Sequence, residues 1–187
     1  MKRFLKVIFS LFFVIVIAGT VYSAVDGIGD TWWSNPTKIP TYVQPNHKYT
    51  EKMKRACHEW SVLTKNGIVF KYVSDQKSAK IKIVFVKKIP EELKADTAIG
   101  LTQQLYQKTS GKISGAQIWI ADYTADGRKL SDDEVYTTML HELGHAIGLD
   151  HTQNKQSIMY PNVRYVRTSE ITSEELNILA KKYGWKK

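Results

Sequence analysis

The stretch from His141 to His151 constrains this chain more than any other: His141-Glu142-Leu143-Gly144-His145-Ala146-Ile147-Gly148-Leu149-Asp150-His151. Residues four apart on a helix lie about one turn apart on the same face, so His141 and His145 can offer two imidazoles to one metal ion. Glu142 stands beside them, poorly placed as a ligand but well placed as a base that takes a proton from water at the metal. Gly148 has no Cβ and admits the sharp turn that ends the helix and brings His151 round as a third nitrogen. Three protein ligands leave one position of a tetrahedral zinc open, which is the arrangement of a catalytic rather than a structural ion. Five such positions coincide by accident in roughly one sequence in 10⁵ at this chain's His, Glu and Gly frequencies. The fold must therefore supply a helix, a hard turn and a loop that comes back.

A second mark lies downstream, in Ser157-Ile158-Met159-Tyr160-Pro161. A zinc-binding helix of this pattern followed by such a Met-containing turn resembles the metzincins. Within them the local forms H-E-L-G-H-x-x-G-L-D-H and I-M-Y-P resemble the matrixins, the family of the matrix metalloproteinases. The resemblance spans about residues 30–185. It implies an α+β metzincin (zincin-like) domain, an α-β sandwich whose twisted five-stranded mixed sheet has one antiparallel edge strand and is accompanied by three helices. It also implies that Met159 supports the metal from below without binding it. Asn162 and Val163 depart from the Pro-x-Tyr continuation usual in the family, in a segment that helps wall the pocket for the substrate side chain.

The remainder of the chain fits this scaffold. Met53, Ala56, Cys57 and Trp60 recur at helical spacing within 50–64, and Asn66-Gly67 stops that helix. Strands are expected over Ile39–Val43, Ile68–Val73, Lys80–Val86, Thr97–Gln104 and Ala116–Ala121. Ser131 with Glu134 forms a capping box that opens the metal-binding helix, whose buried side continues through Val135, Met139, Leu143 and Ile147; Thr172 with Glu175 opens the last helix. By the matrixin resemblance, Ile99-Gly100-Leu101 of the edge strand pairs with an extended substrate backbone, and Pro161 lies at the substrate pocket.

Lys2, Arg3 and Lys6 precede an apolar run from Val7 to Ala18. That is the pattern of an export signal, expected to be cleaved near Ser23 to leave residues 24–187 as a catalytic domain. The alternative is retention, with residues 4–25 as an N-terminal membrane anchor. Either way the protein is expected outside the cell, secreted or tethered. Of the 27 Lys and Arg, three lie in residues 1–23 with none of the 18 acids, so a formal charge of +9 becomes +6 for the remainder. No Arg-rich or aromatic-interleaved motif accompanies that charge, so nucleic acid is not an expected partner. A composition that is 43% hydrophobic and 11% aromatic supports a folded core rather than disorder.

One cysteine cannot form an intrachain disulfide, and Cys57 lies on an apolar helical stripe, so it reads as core. Many matrixins hold their zinc latent with a propeptide cysteine in a Pro-Arg-Cys-Gly type motif. Cys57 has none of that context, and activity without an unblocking step is expected. Five histidines, three in the motif and the others at His47 and His58, leave too few for the family's second, structural zinc, so one zinc ion is expected. Asp122 to Gly127 is oxygen-rich and is a candidate for calcium, without the ligand spacing of an EF-hand.

The expected activity is that of a monomeric zinc metalloendopeptidase acting on protein or peptide substrates, with zinc on His141, His145 and His151 and Glu142 as general base. The alternatives are a metal-binding module that keeps the fold without turnover, and a zinc hydrolase acting on another kind of bond.

Overall fold

The computed structural model describes residues 20–24, 30–93, 95, 97–161 and 171–185. In chain order the elements are β1 (Thr20–Ala24), β2 (Ile39–Val43), α1 (Thr50–Leu63), β3 (Phe70–Tyr72), β4 (Ile81–Val86), a 3-10 turn (Glu91–Leu93), β5 (Gly100–Gln107), β6 (Ile113–Ala121), α2 (Asp132–Ala146) and α3 (Ser173–Tyr183).

The five expected strands are present as a mixed sheet. Its order is β5-β6-β4-β2-β3, with β2, β3, β4 and β6 mutually parallel and β5 antiparallel to β6. A sixth strand, β1, lies antiparallel to β5 over Gln103–Gln107. It falls on residues read above as the end of an export signal; the apolar run of that signal, like most of the alternative anchor, lies outside the described residues. Gly100, Leu101 and Thr102 have no partner on the β1 side of β5 among the described strands.

Helix α1 forms where the stripe predicts. Met53, Ala56, Cys57 and Trp60 are all fully buried, and the chain leaves the helix through Lys65 and Asn66, both left-handed at φ 51° and 61°. The alternation in β4 holds as well, with Ile81, Ile83 and Phe85 buried and the residues between them half-buried. These side chains join Ile118 and Ile120 of β6 and Val135, Met139 and Leu143 of α2 in one apolar cluster, so α1 and α2 share a face of the sheet. The indole nitrogen of Trp60 donates to Leu140 O at 3.1 Å and ties the two helices together.

Strand β3 is trimmed to Phe70–Tyr72 and β4 begins at Ile81; β5 and β6 differ more from expectation, for local reasons. The strand predicted over Thr97–Gln104 runs over Gly100–Gln107, because Ala98 N bonds Ala95 O at 3.0 Å and closes a turn that takes up the preceding residues. With β5 extended, the hairpin closes later, through Gly111 N to Gln107 O at 2.8 Å, and β6 begins at Ile113 instead of Ala116.

Candidate active site

Helix α2 begins with the expected capping box. Glu134 N donates to Ser131 Oγ at 3.2 Å and Ser131 N to the Glu134 carboxylate at 2.9 Å. Arg128 bonds both oxygens of that carboxylate, at 2.8 and 3.0 Å, and holds its pKa down at about 2. Acids in the first turn also suit the positive end of the helix dipole. The helix is thus fixed at its start, two turns before its functional residues.

Three imidazoles converge at its other end. The Nε2 atoms of His141, His145 and His151 are separated by 3.1, 3.1 and 3.2 Å. Nitrogens about 2.05 Å from a tetrahedral zinc would stand about 3.3 Å apart, so the triangle suits that ion. The opposite nitrogens are already engaged: Nδ1 of His141 donates to Ile158 O at 2.7 Å and Nδ1 of His145 to Leu149 O at 2.9 Å, in the tautomer that frees both Nε2 lone pairs. Burial pushes His141 down to about 4 and His145 well below its ordinary range, so both are neutral, as ligands must be. His151 is half-buried and marks the solvent side. Among the described residues these three are the one group of three or more His, Cys, Asp or Glu side chains that could hold a metal ion.

Glu142 is buried against β5. Thr102 Oγ1 lies 2.6 Å from Glu142 Oε2 and 3.0 Å from Glu142 O. Burial raises the Glu142 carboxyl to about 8, with the Thr102 hydroxyl working the other way. Two residues further along β5, Gln104 Nε2 donates to His145 O at 2.5 Å, while Gln104 Oε1 is buried without a hydrogen-bond partner.

The loop after α2 is shaped mainly by hydrogen bonds. Gly148 takes φ +96°, and a Cβ there would collide with Thr31 O, so both backbone conformation and space demand glycine. Trp33 Nε1 donates to Ala146 O at 2.8 Å and the Tyr183 hydroxyl to Ile147 O at 3.0 Å, satisfying carbonyls that the helix end leaves open. Further on, Thr152 N bonds Met159 O at 3.1 Å, and Met159 N donates to Ser157 Oγ at 2.9 Å. The Ser157 hydroxyl in turn donates to Glu175, whose other oxygen accepts from Thr172 N at 2.8 Å. Glu174 accepts from Thr152 Oγ1 at 3.2 Å and from Asn154 Nδ2. Two acids that read in the sequence as first-turn residues of α3 therefore also hold the Met159 turn and the loop behind His151.

The structure places the other predicted residues as follows. Met159 is buried, with its sulfur against Gly144 of α2. Ile99 precedes β5 and bonds Ala121 N through its carbonyl at 2.9 Å, while Gly100 and Leu101 open the strand beside Glu142. Pro161 is exposed at the end of the turn; Asn162 and Val163 lie outside the described residues. In the calcium candidate, the Asp122 carboxylate is engaged by Lys48 at 3.2 Å and His47 at 3.6 Å, and Asp126 by Thr124. Sequence reasoning missed the side-chain roles of Thr102 and Gln104. Their signal was a broken alternation: the helix-facing positions of β5 are Gly100, Thr102 and Gln104, where β4 has Ile81, Ile83 and Phe85.

The chain resembles known proteins in sequence and in fold. The family model described as Matrixin matches residues 33–184. Metalloendoproteinase 1-MMP of Arabidopsis thaliana is 26% identical over 135 residues, covering 70% of this chain and 36% of that protein. A putative matrix metalloproteinase of Spodoptera frugiperda ascovirus 1a is 30% identical over 125 residues, covering 61% of this chain and 32% of the other. The chain thus spans about a third of the length of these curated relatives. Among solved structures, myroilysin superposes with a TM-score of 0.53 at 18% identity, over 88% of this chain and 100% of that one, a likeness of fold.

Proposed function

We propose, since the chain belongs to the matrixin family, that it is a zinc-dependent endopeptidase that hydrolyses peptide bonds in extended protein segments. The observation that carries this reading is the Nε2 triangle of His141, His145 and His151, next in the chain to Glu142, whose carboxylate is held by Thr102 of β5. Zinc bound there would polarise the scissile carbonyl and make water a better nucleophile near neutral pH. The chain's own residues supply the rest. Ile158 O and Leu149 O orient two of the imidazoles, Glu142 takes the proton of the attacking water and returns it to the leaving amine, and Met159 supports the histidines from below.

A substrate backbone is proposed to pair with β5 along Ile99–Leu101, where its outer edge carries no described strand, with Pro161 at the side-chain pocket. The protein is proposed to be exported by residues 1–23 and to act as a monomer. No helix among the described residues is long and apolar enough to cross a membrane.

The test is a digest of a peptide library by the purified chain, with and without chelator, alongside Glu142→Gln. The amide keeps the shape of the carboxylate and cannot accept the proton. The variant should keep about one zinc per chain while hydrolysis falls by at least about 10²-fold. Near-normal turnover by Glu142→Gln, or activity indifferent to chelation, would overturn this reading.

A further inference from the structure

We propose that Gly100 and Thr102 of β5 form a seat that holds the Glu142 carboxylate in one orientation, making Thr102 a positioning residue for the general base. The inference rests on the endopeptidase reading above. Residues two apart on a strand face the same side, so both point at α2. Thr102 is fully buried and its hydroxyl lies 2.6 Å from Glu142 Oε2. Gly100 serves the same side chain by leaving space: a Cβ there would stand 2.6 Å from Glu142 Oε1 and 2.8 Å from Glu142 Cγ, and would also strike the Thr138 methyl. One strand position thus grips one carboxylate oxygen, and the next position on that face clears room for the other.

The physical reason for such a seat is torsional. The last torsion of a glutamate is broad and roughly two-fold, so burial alone leaves the carboxylate free to turn. A hydroxyl bound to Oε2 removes that freedom and leaves Oε1 as the atom that exchanges the proton. Preorganisation of this kind acts on the chemical step, and a misplacement of about 1 Å can cost about 10²-fold in rate. Other residues of similar shape would fill the space under Glu142; Thr102 adds a hydrogen-bond donor aimed at the carboxylate.

The test uses Thr102→Val, which keeps the shape and removes the hydroxyl, Thr102→Ser, which keeps the hydroxyl and removes a methyl, and Gly100→Ala. Thr102→Val should lower kcat at least about 10-fold with KM within about 2-fold and zinc content unchanged, and Thr102→Ser should recover kcat to within about 3-fold of wild type. Gly100→Ala should lower kcat in the same manner. Crystal structures give a readout independent of turnover: Glu142 should occupy one carboxylate orientation in wild type and Thr102→Ser, and more than one in Thr102→Val. Wild-type kcat and a single Glu142 orientation in Thr102→Val would overturn the seat. So would parallel loss of kcat in Val and Ser variants that tracks their loss of melting temperature, since that describes packing alone. Should Thr102→Val not fold, Thr102→Ser against Gly100→Ala carries the same comparison. If wild type itself shows no zinc-dependent hydrolysis, the endopeptidase reading fails, and the Glu142 orientations still decide the seat.

Discussion

The helix-facing positions of β4 are Ile81, Ile83 and Phe85, and those of β5, on the far side of β6, are Gly100, Thr102 and Gln104. Both strands belong to one sheet and face one layer of helices. Fully burying an Ile or Phe side chain is worth about 1.5–3 kcal/mol, and β5 forgoes that term at three successive inward positions. It even leaves Gln104 Oε1 buried without a hydrogen-bond partner. In exchange it holds a carboxylate and the His145 carbonyl. One part of the sheet contributes stability while its neighbour contributes the placement of polar groups, and the two contributions should separate under mutation.

The largest separation is expected at Trp60, deep in the apolar half. Trp60→Ala removes a fully buried ring and its bond to Leu140 O, and should cost about 3–5 kcal/mol of stability. Turnover per zinc-loaded folded molecule should stay within about 3-fold of wild type. Denaturant titration and active-site titration together check this; a 10-fold loss in the folded fraction would show that the two halves are not separable.

A smaller effect comes from the ionisable groups buried beside the polar half. In metal-free protein, unfolded histidine takes up a proton below its ordinary value of 6.5, while folded His141 does so only near 4 and burial holds folded His145 well below that ordinary value. Stability should therefore fall as pH drops from about 6.5 toward about 4. Glu142 works in the other direction: folded, it keeps its proton up to about 8, whereas the unfolded carboxyl loses it near 4.5, so its contribution is lost as pH rises through that interval. Each group can contribute at most about 1.4 kcal/mol per pH unit. Chelated wild type should thus be most stable near pH 6.5, and Glu142→Gln should lose the alkaline decline. Urea midpoints from pH 4 to 9 decide it, and an unchanged alkaline limb in Glu142→Gln would remove Glu142 from the account.

The smallest effect belongs to Cys57. Burial pushes its thiol up to about 12, so a thiol reagent should not react with the folded protein. Cys57→Ala should cost about 1 kcal/mol and leave activity unchanged. Activation of wild type by a thiol reagent would make this residue a switch instead of core.

Much of this arrangement is legible in the chain because it follows from spacing. The histidines four and then six residues apart, the capping residues Ser131 and Glu134, and the stripe from Met53 to Trp60 are each set by the local geometry of a helix. What is not legible joins distant segments. That Thr102 would meet Glu142 depends on the register of β5 against α2, which no local pattern states. Glu175 could be read as a capping residue, whereas its bond to Ser157 needs the path of the chain between them. The start of β5 was misplaced for a related reason: the turn at Ala95–Ala98 is made by a backbone bond that no side chain announces.

The last turn of α2 has a consequence for how the molecule assembles. Its carbonyls at His145, Ala146 and Ile147 are bonded by Gln104, Trp33 and Tyr183, which stand 41, 113 and 36 residues away in the chain. Contacts so distant require loops to close before they contribute, and they slow folding. The beginning of α2 is capped by Ser131, Glu134 and nearby Arg128, so the helix can start early. It can be finished only when Trp33, β5 and the closing helix have all arrived. His145 stands in that final turn, so the affinity of the three histidines for a metal ion measures whether the whole chain has come together.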